Sequence, residues 1–287
     1  MHCDWTFLVR ASAVVVPGVL LMALHAASAA PPQATPDTPT GLEKLSRRRV
    51  FFGHQSVGAN ILEGVGRLMA RGGPAPKVQE VREPTAPVAP GTLAHAMLGH
   101  NEQPESKLAD FERYMDDGMA AQTDIALLKF CYIDFNVRTD ARALFARYRA
   151  TMDGLKARHP QVTFVHVTVP LTTVQSGAKA WLKELMGRSV WGVGENVTRE
   201  AFNTLMRQTY AGKEPLFDLA ALESTRPDGT PETYALNGRA YPAMVPAYSN
   251  DGGHLNEVGQ ARLATAFIDF LAALPPATRT TPAQAVP

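Results

Sequence analysis

From about residue 49 to residue 274, short apolar runs alternate with segments in which apolar residues recur every three or four positions. Val50-Phe51-Phe52 and residues 78–81, 125–131, 162–169 and 216–219 have the length and character of buried parallel strands. Each is followed by a helical pattern. After the first run, Val57, Ile61, Val65 and Leu68 fall on one helical face, and Arg71-Gly72-Gly73-Pro74 stops it. Helices are predicted over 106–115, over 139–158 with Thr139 or Asp140 as cap and Pro160 beyond, and as a pair over 178–186 and 198–210. The last is the clearest: Asn256 as N-cap, then Leu263, Phe267, Phe270, Leu271 and Leu274 on one stripe before Pro275-Pro276. Strand alternating with helix predicts an α/β fold, a three-layer α/β/α sandwich around a central five-stranded parallel sheet with right-handed crossovers. Residues 229–248, with Tyr234, Tyr241 and Tyr248 among Pro231, Pro242 and Pro246, break this rhythm and read as an irregular loop or a short hairpin.

Composition narrows the picture. At 45% hydrophobic and 19% charged, 287 residues can bury a large core, which excludes disorder over most of the chain. Against 27 Asp+Glu stand 28 Lys+Arg, and a net charge of +1 provides no field to gather phosphate backbones, so nucleic acid is not an expected partner. Cys3 and Cys131 rule out a disulfide scaffold.

The N-terminus has Arg10, an uncharged stretch with Val14-Val15-Val16 and Val19-Leu20-Leu21-Met22, then Ala26-Ala27-Ser28-Ala29-Ala30. That order predicts a signal peptide over residues 1–29, a periplasmic or secreted location, and no stable membrane insertion after its removal. An uncleaved N-terminal anchor is the competing reading. Residues 30–41 read as a linker, 42–274 as the domain and 275–287 as a flexible tail. Cys131 is then the remaining cysteine, read as a buried thiol, with a nucleophile as the sharper alternative.

Two blocks carry candidate chemistry. Phe51-Phe52-Gly53-His54-Gln55-Ser56-Val57-Gly58 lies where a strand ends and a helix begins, the edge at which parallel sheets bind ligands. A serine there sits beside unpaired backbone N–H groups and the positive end of the helix dipole, although an N-cap is its commonest use. In Ser249-Asn250-Asp251-Gly252-Gly253-His254-Leu255-Asn256, a carboxylate three residues before an imidazole can hold one ring nitrogen while the other faces outward, the arrangement that orients a general base.

Together these blocks resemble the SGNH, or GDSL-like, hydrolase superfamily, in a divergent bacterial branch with Gly-His-Gln-Ser in place of Gly-Asp-Ser. The resemblance implies a flavodoxin-like sheet, Ser56 as nucleophile, His254 as base and Asp251 as its orienter, with no metal or cofactor. Ile133, in Cys131-Tyr132-Ile133-Asp134, stands where the family has its oxyanion Asn. Gly99 and Asn101, in His95-Ala96-Met97-Leu98-Gly99-His100-Asn101, are the expected substitutes: a backbone N–H and a side-chain amide. Asn101 as a turn cap is the alternative. His54 is expected either to donate to substrate or to stiffen the turn.

The remaining polar residues read as structural. Lys129 interrupts an apolar run and expects Asp134 as its ion-pair partner. His95 and His100 are five apart, which suits neither face for zinc, and His166 reads as a satisfied core residue. Asn196-Val197-Thr198 matches a glycosylation triplet that helix initiation also explains. The expected function is an exported serine esterase acting on O-acyl groups, carbohydrate or cell-envelope acyl groups first and short-chain or lipid esters next. The alternative is a carbohydrate-binding or acyl-transferring domain that does not hydrolyse.

Overall fold

A computed structural model describes residues 38–276. The expected signal peptide and most of the tail lie outside them, and the last residues of the expected linker belong to helix α1, Thr38–Leu45. The strands are β1 Arg49–His54, β2 Lys77–Glu80, β3 Thr92–Met97, β4 Ile125–Leu128, β5 Thr163–Val167 and β6 Leu216–Phe217, joined in the order β2-β3-β1-β4-β5-β6 with every pairing parallel. The sheet therefore has six strands, where five were expected. The additional strand is β3, which pairs with β1 along its whole length from Arg49 opposite Thr92 to His54 opposite Met97. Its sequence, Thr-Leu-Ala-His-Ala-Met, has two alanines and a histidine where β-branched residues usually announce a strand.

Alternation along β1 divides the core. Val50 and Phe52 face one layer with α2 (Val57–Met69) and α9 (Glu257–Ala273), packing on Ile61, Val65, Phe267 and Leu271. Phe51 faces the other with α3 (Pro104–Tyr114), α5 (Ala141–Arg158) and α7 (Val193–Tyr210), against Phe111 and Tyr114. Period-2 alternation with helices on both faces produces the three layers. Asp140 caps α5 through the N–H groups of Arg142 and Ala143, and Asn256 caps α9 through those of Val258 and Gly259.

The shorter elements are α4 Ala120–Gln122, which α3 reaches through a π-helical turn, α6 Ala178–Leu185 and α8 Leu219–Glu223. The Tyr-rich segment contains a hairpin, β7 Thr233–Leu236 and β8 Arg239–Pro242, whose Asn237-Gly238 turn has positive φ at both residues. Helix α7 begins at Val193, earlier than expected, and puts Asn196 in its first turn, fully buried, bridging both polar groups of the Thr172 backbone. A glycan has no access there. No helix among the described residues is long and apolar enough to cross a membrane.

Candidate functional site at the C-terminal edge of the sheet

Because every strand of the sheet is parallel, the segments that follow β1, β3, β4 and β5 all emerge at one edge. Ser56 follows β1 and opens α2. Its side chain caps nothing; Oγ instead lies 3.7 Å from Cys131 Sγ, after β4. No hydrogen bond joins Ser56 Oγ to His254. The Ser56 N–H has no acceptor among the described residues, so it remains available to an incoming oxygen.

The turn before Ser56 is tied down from three sides. His54 is 2% exposed, with Nε2 3.1 Å from His95 Nδ1 and Nδ1 3.3 Å from the Gln55 carbonyl. Burial, helped by the His95 and Lys129 charges, lowers its pKa to about 3, so the ring is neutral. Gln55 Nε2 donates to the carbonyls of Leu98 and Gly99. Gly58 lies flat over His54: a Cβ there would come within 2.4 Å of the imidazole side chain. Of the two expectations for His54, this geometry favours stiffening the turn, and it corrects the one that placed the ring in the substrate-binding set.

The Asp-His block is built by its own turn. Asp251 Oδ1 accepts from the N–H groups of Gly253 and His254, and Oδ2 is 2.7 Å from His254 Nδ1. Partial desolvation opposes the charged carboxylate, but the two backbone N–H groups and the imidazole outweigh it and hold Asp251 well below the usual carboxylate range. With Nδ1 committed, Nε2 is the ring nitrogen left for chemistry. Tyr132 stands edge-on to the ring, centroids 5.5 Å apart.

This turn is docked on the same edge as Ser56. The Leu255 N–H donates to Asn60 Oδ1, one helical turn after Ser56 in α2, and the Thr173 N–H, after β5, donates to the Gly252 carbonyl. Arg199 holds the neighbouring segment through the Tyr132 carbonyl and Thr172 Oγ1. Two blocks nearly two hundred residues apart in sequence thus share a short stretch of one helix.

The expected oxyanion donors divide. The Gly99 N–H is already given to Asp110 Oδ2 at 2.8 Å, so Gly99 is corrected from donor to structural turn residue. Asn101 Oδ1 accepts from Lys107 Nζ at 3.0 Å, which leaves its NH₂ free to donate.

Lys107, not Lys129, is the partner of Asp134. The pair is fully buried, with Nζ–O distances of 2.6 and 2.8 Å, and Asp134 also accepts the N–H groups of Cys131 and Glu102. Lys129 donates to the Phe130 carbonyl and approaches Cys131 Sγ at 3.7 Å; burial pushes its pKa down. The missed signal was the position of Lys107 four before Phe111 and seven before Tyr114, on the buried face of α3. His166 is the core residue expected, between Tyr148 Oη and Glu214 Oε2.

No model of a known protein family matches the chain, and no curated protein does. Solved structures do. One is a GDSL-like lipase from Bacteroides thetaiotaomicron, 13% identical, covering 84% of this chain and 93% of that one with a TM-score of 0.46. Another is the periplasmic domain of a lipopolysaccharide acetyltransferase from Salmonella ser. Paratyphi A, 14% identical, covering 78% and 83% with a TM-score of 0.40. The likeness is one of fold.

Proposed function

We propose that the chain is a serine enzyme of acyl esters, with Ser56 as nucleophile, His254 as general base and Asp251 as its orienter. The observation that carries this reading is the Asp251–His254 pair, held at 2.7 Å and anchored through Leu255 to the helix that Ser56 opens. Ser56 Oγ leaves Cys131 Sγ for His254 Nε2, gives it the proton and attacks the ester carbonyl carbon. Apo sites commonly form this hydrogen bond only with substrate present. The oxyanion takes hydrogen bonds from the Ser56 N–H and the Asn101 NH₂. The C–O bond to the alcohol breaks, and the alcohol leaves with the proton that His254 had accepted. Water, deprotonated by His254, then attacks the acyl-serine; the freed Ser56 regains its proton and the acid departs.

O-acyl groups on carbohydrate or cell-envelope polymers are the favoured substrates of an exported chain, followed by short-chain and lipid esters. A second reading has a specific motive. Because Gly99 donates elsewhere, the oxyanion site keeps fewer donors than expected, and a sugar hydroxyl in place of water would make the same centre a transferase. Fluorophosphonate labelling and acyl-ester turnover test the proposal. We expect labelling at Ser56, with Ser56→Ala losing at least about 10³-fold in kcat while remaining folded. An unlabelled Ser56 together with absent turnover on esters of every chain length overturns it. Free acid as product marks hydrolysis, and acylated sugar marks transfer.

A further inference from the structure

The β7–β8 hairpin, which the acyl chemistry leaves unused, walls a cavity of its own. About 240 Å³ lie between Val197, Ala201 and Leu205 on one stripe of α7, the first turn of α5 and strand β8. Tyr234 Oη donates to the Val193 carbonyl and pins the hairpin to the start of α7. Tyr234 stacks across the hairpin on Tyr241 at 5.9 Å, and the Arg239 guanidinium lies over the Tyr241 ring, 5.0 Å from its centroid. Arg239 is thereby set on the cavity wall before any ligand arrives.

The charges around this cavity do not balance. Arg142, in the first turn of α5, and Arg239 both line it, and neither guanidinium has a carboxylate partner among the described residues. The carboxylate on the wall is already spent. Glu200 accepts from Arg207 through both oxygens, at 2.9 and 3.1 Å, and from Thr204 Oγ1 at 3.2 Å. Asp218, 2.7 Å from Arg207 Nε, completes that network and does not line the cavity. Two unpaired guanidinium forks beside an apolar floor suit the oxygens of a planar or tetrahedral oxyanion carried on a hydrocarbon body.

From this imbalance we infer that the cavity binds a small organic anion, a carboxylate or phosphate monoester whose apolar body rests on Val197, Ala201 and Leu205. Arg142 and Arg239 donate to its oxygens. The Tyr241 hydroxyl and the Gln208 amide, which have no partner among the described residues, add neutral donors. Pockets for drug-sized molecules run to about 300–1,000 Å³, so a cavity of about 240 Å³ takes a single ring or a short chain with its charged group. None of Ser56, His254 and Asp251 lines it, and the inference does not depend on their roles.

The experiment titrates the full chain with phenyl phosphate, benzoate and inorganic phosphate by calorimetry at low salt. We expect phenyl phosphate or benzoate to saturate one site, the tighter of the two naming the headgroup. Inorganic phosphate should bind at least about tenfold more weakly, because it leaves the apolar floor uncovered. Arg142→Gln and Arg239→Gln should each weaken binding by about tenfold, and Tyr241→Ala, which frees Arg239, by a smaller factor. Arg147→Gln removes the same charge from an exposed position of α5 outside the cavity and should leave the affinity unchanged. An equal loss in Arg147→Gln would reveal diffuse surface charge and overturn the inference, as would inorganic phosphate binding as tightly as phenyl phosphate. Failure of both organic anions to saturate the protein at about 10 mM also overturns it. Ester turnover plays no part in these readings, so failure here and failure of the Ser56 reading remain distinguishable.

Discussion

The two halves of the site are made in opposite ways. The hydrogen bonds that shape the Asp251 carboxylate and aim His254 reach no farther than three residues along the chain, and both side chains are exposed, His254 by 42% and Asp251 by 58%. Around Ser56 the ties are long: 41 residues from His54 to His95, 44 from Gln55 to Gly99 and 75 from Ser56 to Cys131. Beneath them lies the Lys107–Asp134 pair, with side-chain exposures of 1% and 0%. A polar turn can orient a base with its own backbone. A nucleophile on a sharp strand-to-helix turn depends on the core to hold it. Chemistry should therefore be separable from stability on the Asp-His side and inseparable from it on the serine side.

The largest expected effect tests the first half of that contrast. Asp251→Asn keeps an oxygen to accept the Gly253 and His254 N–H groups but loses the charge that fixes the imidazole tautomer. We expect kcat to fall by about 10⁴-fold with the urea midpoint nearly unchanged. A large loss of stability would show that the turn is not self-contained. On the serine side, Lys107→Met leaves Asp134 buried without its counter-charge and should cost about 3–5 kcal/mol of unfolding free energy by urea titration. It should also lower activity by disturbing Cys131 and Glu102, whose N–H groups Asp134 holds. Retained stability would contradict the importance of the buried pair.

A subtler effect comes from pH. Burial lowers His54 to about 3 and His166 to about 4, whereas in the unfolded chain both titrate near 6.5. The unfolded state binds their protons first, so their contribution is complete above pH 6.5 and is lost as pH falls toward 4 and 3. Glu223 works in the other direction. Its own burial raises it to about 8, only partly offset by the Leu171 N–H and the Lys129 and Arg199 charges. Its contribution is complete below about pH 4.5 and is lost as pH rises through 8. Urea midpoints should therefore peak near pH 6.5 and decline on both sides, and Glu223→Gln should flatten the alkaline limb up to pH 8 while steepening the acid limb above about pH 4.5. An alkaline limb that survives this change would remove Glu223 as its cause.

The smallest expected effect concerns the join between the halves. Asn60→Ala removes the acceptor of the Leu255 N–H and should cost about 1 kcal/mol of stability, with a few-fold loss in kcat that exceeds any change in KM. Equal loss of activity and stability would mean that the contact only helps the fold.

Legibility in the sequence followed this same division. Asp251-x-x-His254 and the Asn256 cap were readable because a turn and a helix start are decided by neighbours, and both stand as expected in the structure. The strands rich in Val, Phe, Ile and Leu were readable from their runs. β3 was not, because Ala and His in a strand become informative only once β1 is beside them. Lys129 drew attention as a charge in an apolar run, yet the partner of Asp134 came from α3. Nothing local distinguishes two lysines competing for one carboxylate. Gly99 was misread, and His54 left open between two roles, for a related reason: a histidine or a backbone N–H beside Ser56 looks available until His95 and Asp110 claim it.

The chain by itself determined the alternation of layers, the helix caps and the Asp-His turn, since each depends on periodicity or on hydrogen bonds that close within one turn of backbone. Tertiary structure alone decided which polar groups are spent and which remain free: Lys107 on Asp134, Gly99 on Asp110, and Ser56 beside Cys131 with its N–H open. Burial makes those choices, because a desolvated charge or donor must take the partner that packing brings to it, however distant in sequence.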